Sequence, residues 1–164
     1  MTKNFFFGAD ILATLMAGFL VYVGHEAKKP IANVYSADVA SVTAGDIESL
    51  KAKAALGDKE AQYKLAVAYD LGQGAKQDFP EAAIWMEKAA KQGFSKAEIL
   101  YGLMYTKGEG VPRDKISAYM WLSFAADQGD KDAKAMLDMY SKLLNKSEIA
   151  MAQKRGDDWK MDNH

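Results

Sequence analysis

Side chains able to do chemistry are few in this chain and poorly spaced for it. Its 164 residues include two histidines and no cysteine. The missing thiol removes disulfides, thiolate nucleophiles and sulfur-ligated metals together. His25 lies away from any patterned segment and His164 is the last residue, so no imidazole is placed as a base or a ligand. Carboxylates are plentiful, but the 22 acidic residues are interspersed with 21 basic ones in the manner of solvated helix faces. No two carboxylates stand apart as an acid/base pair. The run Gly108-Glu109-Gly110 could serve as a phosphate loop, yet such loops follow a strand and this one follows a helical pattern. The formal charge of -1 has no basic block behind it, which argues against nucleic acid. No catalytic residue, cofactor, metal or small-molecule substrate is implied.

The dominant signal is repetition. The segment Gly57 to Gln92 reads again from Gly93 to Gln128, with Ala61/Ala97, Tyr69/Tyr105, Gly72/Gly108, Gly74/Gly110, Asp78/Asp114, Ala82/Ala118, Trp85/Trp121 and Ala89/Ala125 each 36 residues apart. A period of that length predicts two helices per unit, and units of this kind present surfaces to other molecules. Because Gly-x-Gly recurs with the unit, it is read as a tight reversal between helices, with Gly72 and Gly108 ending the first helix in the left-handed conformation.

Each first helix carries a small residue, a large apolar one, another small one and an aromatic on one face: Ala61, Leu65, Ala66 and Tyr69, then Ala97, Tyr101, Gly102 and Tyr105. Each second helix opens after an aspartate cap, Asp78 or Asp114, and Glu81 three residues after Asp78 has the spacing of a capping box. The stripes Ala82, Trp85, Ala89 and Ala118, Trp121, Ala125 follow, with alanine permitting close contact and tryptophan filling the remaining space. Ahead of the repeats, Asp46 is a suitable cap for a helix through Ile47, Leu50 and Ala54 that ends near Gly57, a leading half-unit.

This pattern, Ala-x3-Leu/Tyr-Ala/Gly-x2-Tyr-x2-Gly-x-Gly followed by Asp-x3-Ala-x2-Trp-x3-Ala-Ala-x-Gln-Gly, resembles the Sel-1-like repeat family, a relative of the tetratricopeptide repeat. The run Tyr119 to Gly129 is similar to the last complete repeat of many bacterial members, and Leu144 to Arg155 resembles the closing helix that follows it. A third unit keeps Ala133 and Leu137 but has Asp138 in place of the small residue and Ser141 in place of the tyrosine, and it lacks Gly-x-Gly. It reads as a terminal cap. The expected fold is all-α, a short helical-hairpin solenoid over residues 46–164, with full repeats at 57–92 and 93–128 and a capping repeat plus C-terminal helix at 129–160.

If the alanine and tyrosine stripe packs inward, the opposite face of each first helix comprises Tyr63, Val67 and Asp70, then Ile99, Leu103 and Thr106, then Ala135, Met139 and Lys142. In tetratricopeptide-like solenoids the equivalent rows line the concave groove, so the resemblance makes these the candidate partner groove for a helix or extended peptide. The competing reading is that neighbouring units bury them.

Phe5 to Val23 is a 19-residue apolar stretch interrupted by Asp10 and Thr14. As a helix it would run about 28 Å, close to the hydrocarbon thickness of a bilayer. A retained anchor over residues 1–24 competes with a cleaved signal peptide. The length, the carboxylate near its start and the lack of a close small-x-small cleavage pattern favour the anchor. Ala9, Ala13 and Ala17, with Asp10, Thr14 and Gly18 alongside, form a small-residue stripe suited to contact with another membrane helix. Asp10 either bonds such a neighbour or is hydrated at the membrane surface. Residues 25–45 read as a tether. The positive-inside count is nearly balanced, and the family resemblance points to the periplasm for the repeat domain.

Together these features imply a non-catalytic, membrane-anchored scaffold for protein partners, an accessory or assembly subunit of an integral membrane complex. The alternative is a cleaved, free periplasmic adaptor in envelope stress, secretion or host interaction.

Overall fold

The computed structural model describes residues 42–163, which lie within a compact unit spanning Ala37–His164. The apolar stretch with Ala9, Asp10, Ala13, Thr14, Ala17 and Gly18, and the tether up to residue 41, lie outside the described residues. Among those described there are seven helices: α1 (Ala44–Ala55), α2 (Lys59–Leu71), α3 (Phe79–Lys91), α4 (Ser95–Lys107), α5 (Lys115–Asp127), α6 (Lys131–Ser141) and α7 (Lys146–Asp162). The domain is an all-α repeat solenoid in which α2/α3 and α4/α5 are the two full hairpins.

Helix starts other than that of α4, where Phe94 holds the cap position, follow local capping chemistry, with two departures from expectation. Helix α1 begins at Ala44, two residues before the expected cap. Thr43 is the cap, and its amide and Oγ1 donate to the Asp46 carboxylate at 2.8 and 2.6 Å. The aspartate therefore acts from the third helical position, where a carboxylate completes a capping box equally well. Asp78 caps α3 by accepting from the Glu81 amide at 3.0 Å, but the Glu81 carboxylate does not reach back. It accepts instead from the Trp85 indole at 2.9 Å, satisfying a half-buried N–H that would otherwise lack a partner inside α3.

The hairpin bend is built identically twice. Gly72 and Gly108 end α2 and α4 at φ 69° and 79°. The Asp78 and Asp114 amides then return to the carbonyls of Tyr69 and Tyr105 at 3.0 and 3.1 Å. Side chains at one repeated position brace the bend: Gln77 Nε2 donates to the Asp70 carbonyl at 2.7 Å, and Arg113 Nε donates to the Thr106 carbonyl at 3.1 Å.

The second glycine of each pair fixes how consecutive units stack. A Cβ on Gly74 would lie 2.7 Å from the carbonyl oxygen of Thr43, and one on Gly110 would lie 2.1 Å from that of Phe79. Thr43 and Phe79 are themselves 36 residues apart, each at the start of the preceding unit's second helix. Glycine is thus required at these positions because one backbone rests on another.

Small residues also set the distance within a hairpin. A Cβ on Gly102 would meet the Ala118 carbonyl at 3.1 Å and Leu122 Cγ at 3.2 Å, so α4 and α5 approach as closely as their main chains allow. Ala66 holds this position in the preceding unit and is fully buried. In the third unit the position is Asp138, which is exposed. Helix α7 accordingly takes α5 as its main partner instead of closing a hairpin with α6.

The other end is finished with polar side chains. Helix α1 turns Ile47 and Ala54 into a core with Ala61, Leu65 and Ala68 of α2. Its outer positions Asp46, Ser49 and Lys53 are exposed and stand 36 residues before Ala82, Trp85 and Ala89. With Val42, Leu50 and Lys64 they line an open 250 Å³ cleft.

Gly93 supplies an internal control for the stacking contact, because it has φ 70° but nothing within 4 Å of an added Cβ. Gly93→Ala should cost about 1 kcal/mol from the left-handed conformation alone. Gly110→Ala should cost roughly 3 kcal/mol, since Phe79 must also move. Urea unfolding of the two variants would settle this, and equal losses would mean that the glycine contact does not set the spacing.

Candidate interaction surface

The row proposed from sequence as a groove is not uniformly open. In α2, Tyr63 and Val67 are buried, as is Asp70. Tyr63 meets Phe94 edge to face, with ring centroids 5.2 Å apart. In α4, Ile99 is buried, while Leu103 and Thr106 are half-buried. In α6, Ala135 is exposed and Met139 is half-buried, and Lys142, which caps its end, is exposed. Tyr63, Val67, Asp70 and Ile99 therefore belong to the packing of the solenoid. In the first unit Phe94, on the turn into α4, packs over Tyr63, and in both units residues of the turn bond beside the row. Gln92 donates to Gln62 at 2.7 Å, Gln128 to Glu98 at 2.6 Å, and Ser95 to Asp130 at 3.1 Å. Helix α6 is the last first helix, so its row emerges at the surface, and the accessible part runs from Leu103 and Thr106 to Ala135, Met139 and Lys142.

A second surface is already occupied, by α7 lying along α5. Gly156 lets the Phe124 ring come within 3.1 Å of where a Cβ would be, and Ala152 is buried. Trp159 then joins an aromatic cluster at 5.3 Å from both Trp121 and Phe124, and Trp121 contacts Tyr101 at 5.2 Å. Burial pushes the Tyr101 hydroxyl well above its ordinary range, and its bond with the Tyr105 hydroxyl adds to the effect.

Charges hold both ends of α7. Arg155 pairs with Asp114, the cap of α5, and donates to Ser117 Oγ at 2.7 Å. Burial pushes the Asp114 carboxyl up, but the hydrogen bonds from Arg155, Ser117 and the α5 backbone outweigh it, leaving the group below the usual aspartate range. Lys115 pairs with Glu148 and lowers its pKa. Lys160 reaches Asp127 at 3.5 Å and stands 4.9 Å over the Phe124 ring. These pairs lie at the surface, where solvent screens them, so the aromatic contacts dominate.

Sequence reasoning passed over the seat of α7 because that helix lies outside the 36-residue period. The available signal was Ala152-x3-Gly156-x2-Trp159, two small residues one turn apart followed by a large aromatic on the same side. Glu98 was missed as well; it stands at the position of Gln62 in the repeat, and burial raises it to about 7. Among the described residues no group of histidine, aspartate or glutamate side chains could hold a metal ion.

The repeat geometry has known counterparts. A family model described as the Sel1 repeat matches residues 59–94 and again residues 95–130. The chain carries two Sel1 repeats. Sel1 repeats are in general non-catalytic scaffolds for protein interaction. A crystal structure of a protective antigen present in uropathogenic Escherichia coli strains, described as displaying an SLR fold, is similar over 93% of this chain and 30% of that one, with 28% identity and a TM-score of 0.68. The crystal structure of a Sel1 repeat protein from Oxalobacter formigenes is similar over 58% of this chain and 28% of that one, with 41% identity and a TM-score of 0.57. The chain thus spans less than a third of either relative. No curated protein matches it.

The α7 contacts predict a local effect. Trp159→Ala should lower stability by about 2 kcal/mol, less than the loss at a fully buried tryptophan because Trp159 is half-buried. Hydrogen exchange should then rise in α7 while the amides of α2 and α3 keep their protection. A uniform rise across all helices would show that α7 is not a separable element.

Proposed function

We propose that this chain is a membrane-anchored Sel1-repeat scaffold serving as an accessory or assembly subunit of an integral membrane complex, with the repeat domain on the periplasmic side. The observation that carries this reading is the conjunction of a spanning-length apolar stretch, Phe5 to Val23, with a repeat domain whose apolar row surfaces at Leu103 and Met139. No helix among the described residues is long and apolar enough to cross a membrane, so an anchor within this chain would have to come from the earlier residues. Ala9, Asp10, Ala13, Thr14, Ala17 and Gly18 supply the helix-contact stripe there. Anchoring would confine the repeat domain to a thin layer and raise the effective concentration of its second contact, so neither interface need be tight alone.

Purification of the full-length protein from native membranes in mild detergent, with mass spectrometry of the intact chain and its companions, tests the proposal. Recovery with residues 1–24 present and a stoichiometric membrane complex is the expected result. A shortened chain without such companions would overturn the anchored reading and leave a free periplasmic adaptor. Within the complex, Leu103→Asp should reduce co-purification at least tenfold while circular dichroism and melting change little, because that side chain is half-exposed.

A further inference from the structure

The two full repeats solve one hydrogen-bonding problem with different side chains. In the first, Gln62 is buried and uses both ends of its amide: Oε1 accepts from Gln92 Nε2 at 2.7 Å, and Nε2 donates to the Ala54 carbonyl at 3.0 Å. The Ala54 carbonyl also receives the Gly57 amide at 3.1 Å. In the second repeat every partner recurs 36 residues on. Gln128 Nε2 donates to Glu98 Oε2 at 2.6 Å, and the Ala90 carbonyl, receiving the Gly93 amide at 2.9 Å, takes the place of Ala54. Only the central residue differs, a carboxyl where the first repeat has a carboxamide. It is 4% exposed, the same as Gln62.

An ionised carboxylate can accept from Gln128 but can offer nothing to a carbonyl, and would set two acceptors against each other in a buried site. A neutral carboxylic acid has the same accepting and donating ends as the amide. We propose that Glu98 is held as the neutral acid, its O–H donating to the Ala90 carbonyl while its other oxygen accepts from Gln128, making the junction between the two repeats a proton-dependent stitch. The charged groups acting on it are Asp127 at the end of α5, which opposes ionisation, and Lys160 of α7, which favours it. Burial is the largest influence and outweighs the Gln128 hydrogen bond, which favours ionisation, so that the group lies at about 7 in place of 4.5.

The sign follows from proton counting. The folded state binds the Glu98 proton more tightly than the unfolded chain, so this contribution is complete below about pH 4.5 and is lost as pH rises to about 7. Within that window one proton changes the folded-to-unfolded ratio by at most about tenfold per pH unit. Physiological pH falls at the upper edge, where a modest acidification tightens the repeat junction.

The test compares full-length wild type with Glu98→Gln, a variant that copies the Gln62 pair already present in the chain. Denaturation midpoints would be followed by tryptophan fluorescence from about pH 5 to pH 8. The wild-type midpoint should fall with rising pH relative to the variant, the two converging in acid and the variant being more stable in alkali. Isotope-edited infrared spectra at about pH 6 should show a protonated-carboxyl band that the variant lacks. Parallel midpoint profiles, or a Glu98 carboxyl that titrates in the ordinary glutamate range, would overturn the proposal.

Discussion

The spacing of this solenoid depends on two places where a glycine backbone rests on another backbone. Gly74 lies against Thr43 and Gly110 against Phe79, close enough that a side chain at either position would overlap a carbonyl. This is a steric limit, with no adjustable side chain between the two surfaces. It fixes where each hairpin bend meets the start of the earlier second helix, and the remaining contacts inherit that separation. The alanines at 61, 82, 89, 97, 118 and 125 can be small because the backbones are already close, and the aromatic residues fill what the alanines leave. The braces from Gln77 and Arg113 add directional hydrogen bonds to a geometry that is chiefly determined by volume.

Both ends of the array are closed by changing residue type at positions that the interior keeps constant. Asp46, Ser49 and Lys53 make the outer side of α1 polar where α3 has alanine and tryptophan. At the far end, Asp138 stands where Gly102 lets α4 and α5 touch, and the final helix lies along α5 instead. Lys115, beside the point where a further Gly-x-Gly bend would arrive, is met by Glu148. A charged pair on a helix thus replaces a backbone contact that the third unit no longer has the glycine to make.

The repeat, its hairpins and its inward-facing stripes were legible in the sequence because they follow from side-chain volume at fixed spacing, and volume is encoded residue by residue. The closing helix and the proton-sensitive position were harder to see. Trp159 has no counterpart 36 residues earlier to mark it, and Glu98 resembles a surface glutamate until its neighbours are known. The outward row stayed open between groove and burial for a related reason. Tyr63 has the periodicity of an exposed face, but Phe94, on the turn into the next unit, packs over it, and no pattern within a single helix records what a later turn will cover. Helix starts erred on a smaller scale, since an aspartate at the cap and one a turn inside serve similar electrostatic ends.

The burial of the outward row governs what would happen if the array grew. The glycine contact recurs after 36 residues, so another copy of residues 57–92 could enter at Gly93 with the backbone contacts of the Gly-x-Gly bends on both sides of it already specified. Such a copy would bring a buried row, as Tyr63 and Val67 are. The accessible ribbon would stay with the final two first helices however long the solenoid became. Lengthening would move that ribbon farther from the chain's beginning without enlarging it, so the number of repeats would act as a ruler for where contact is made.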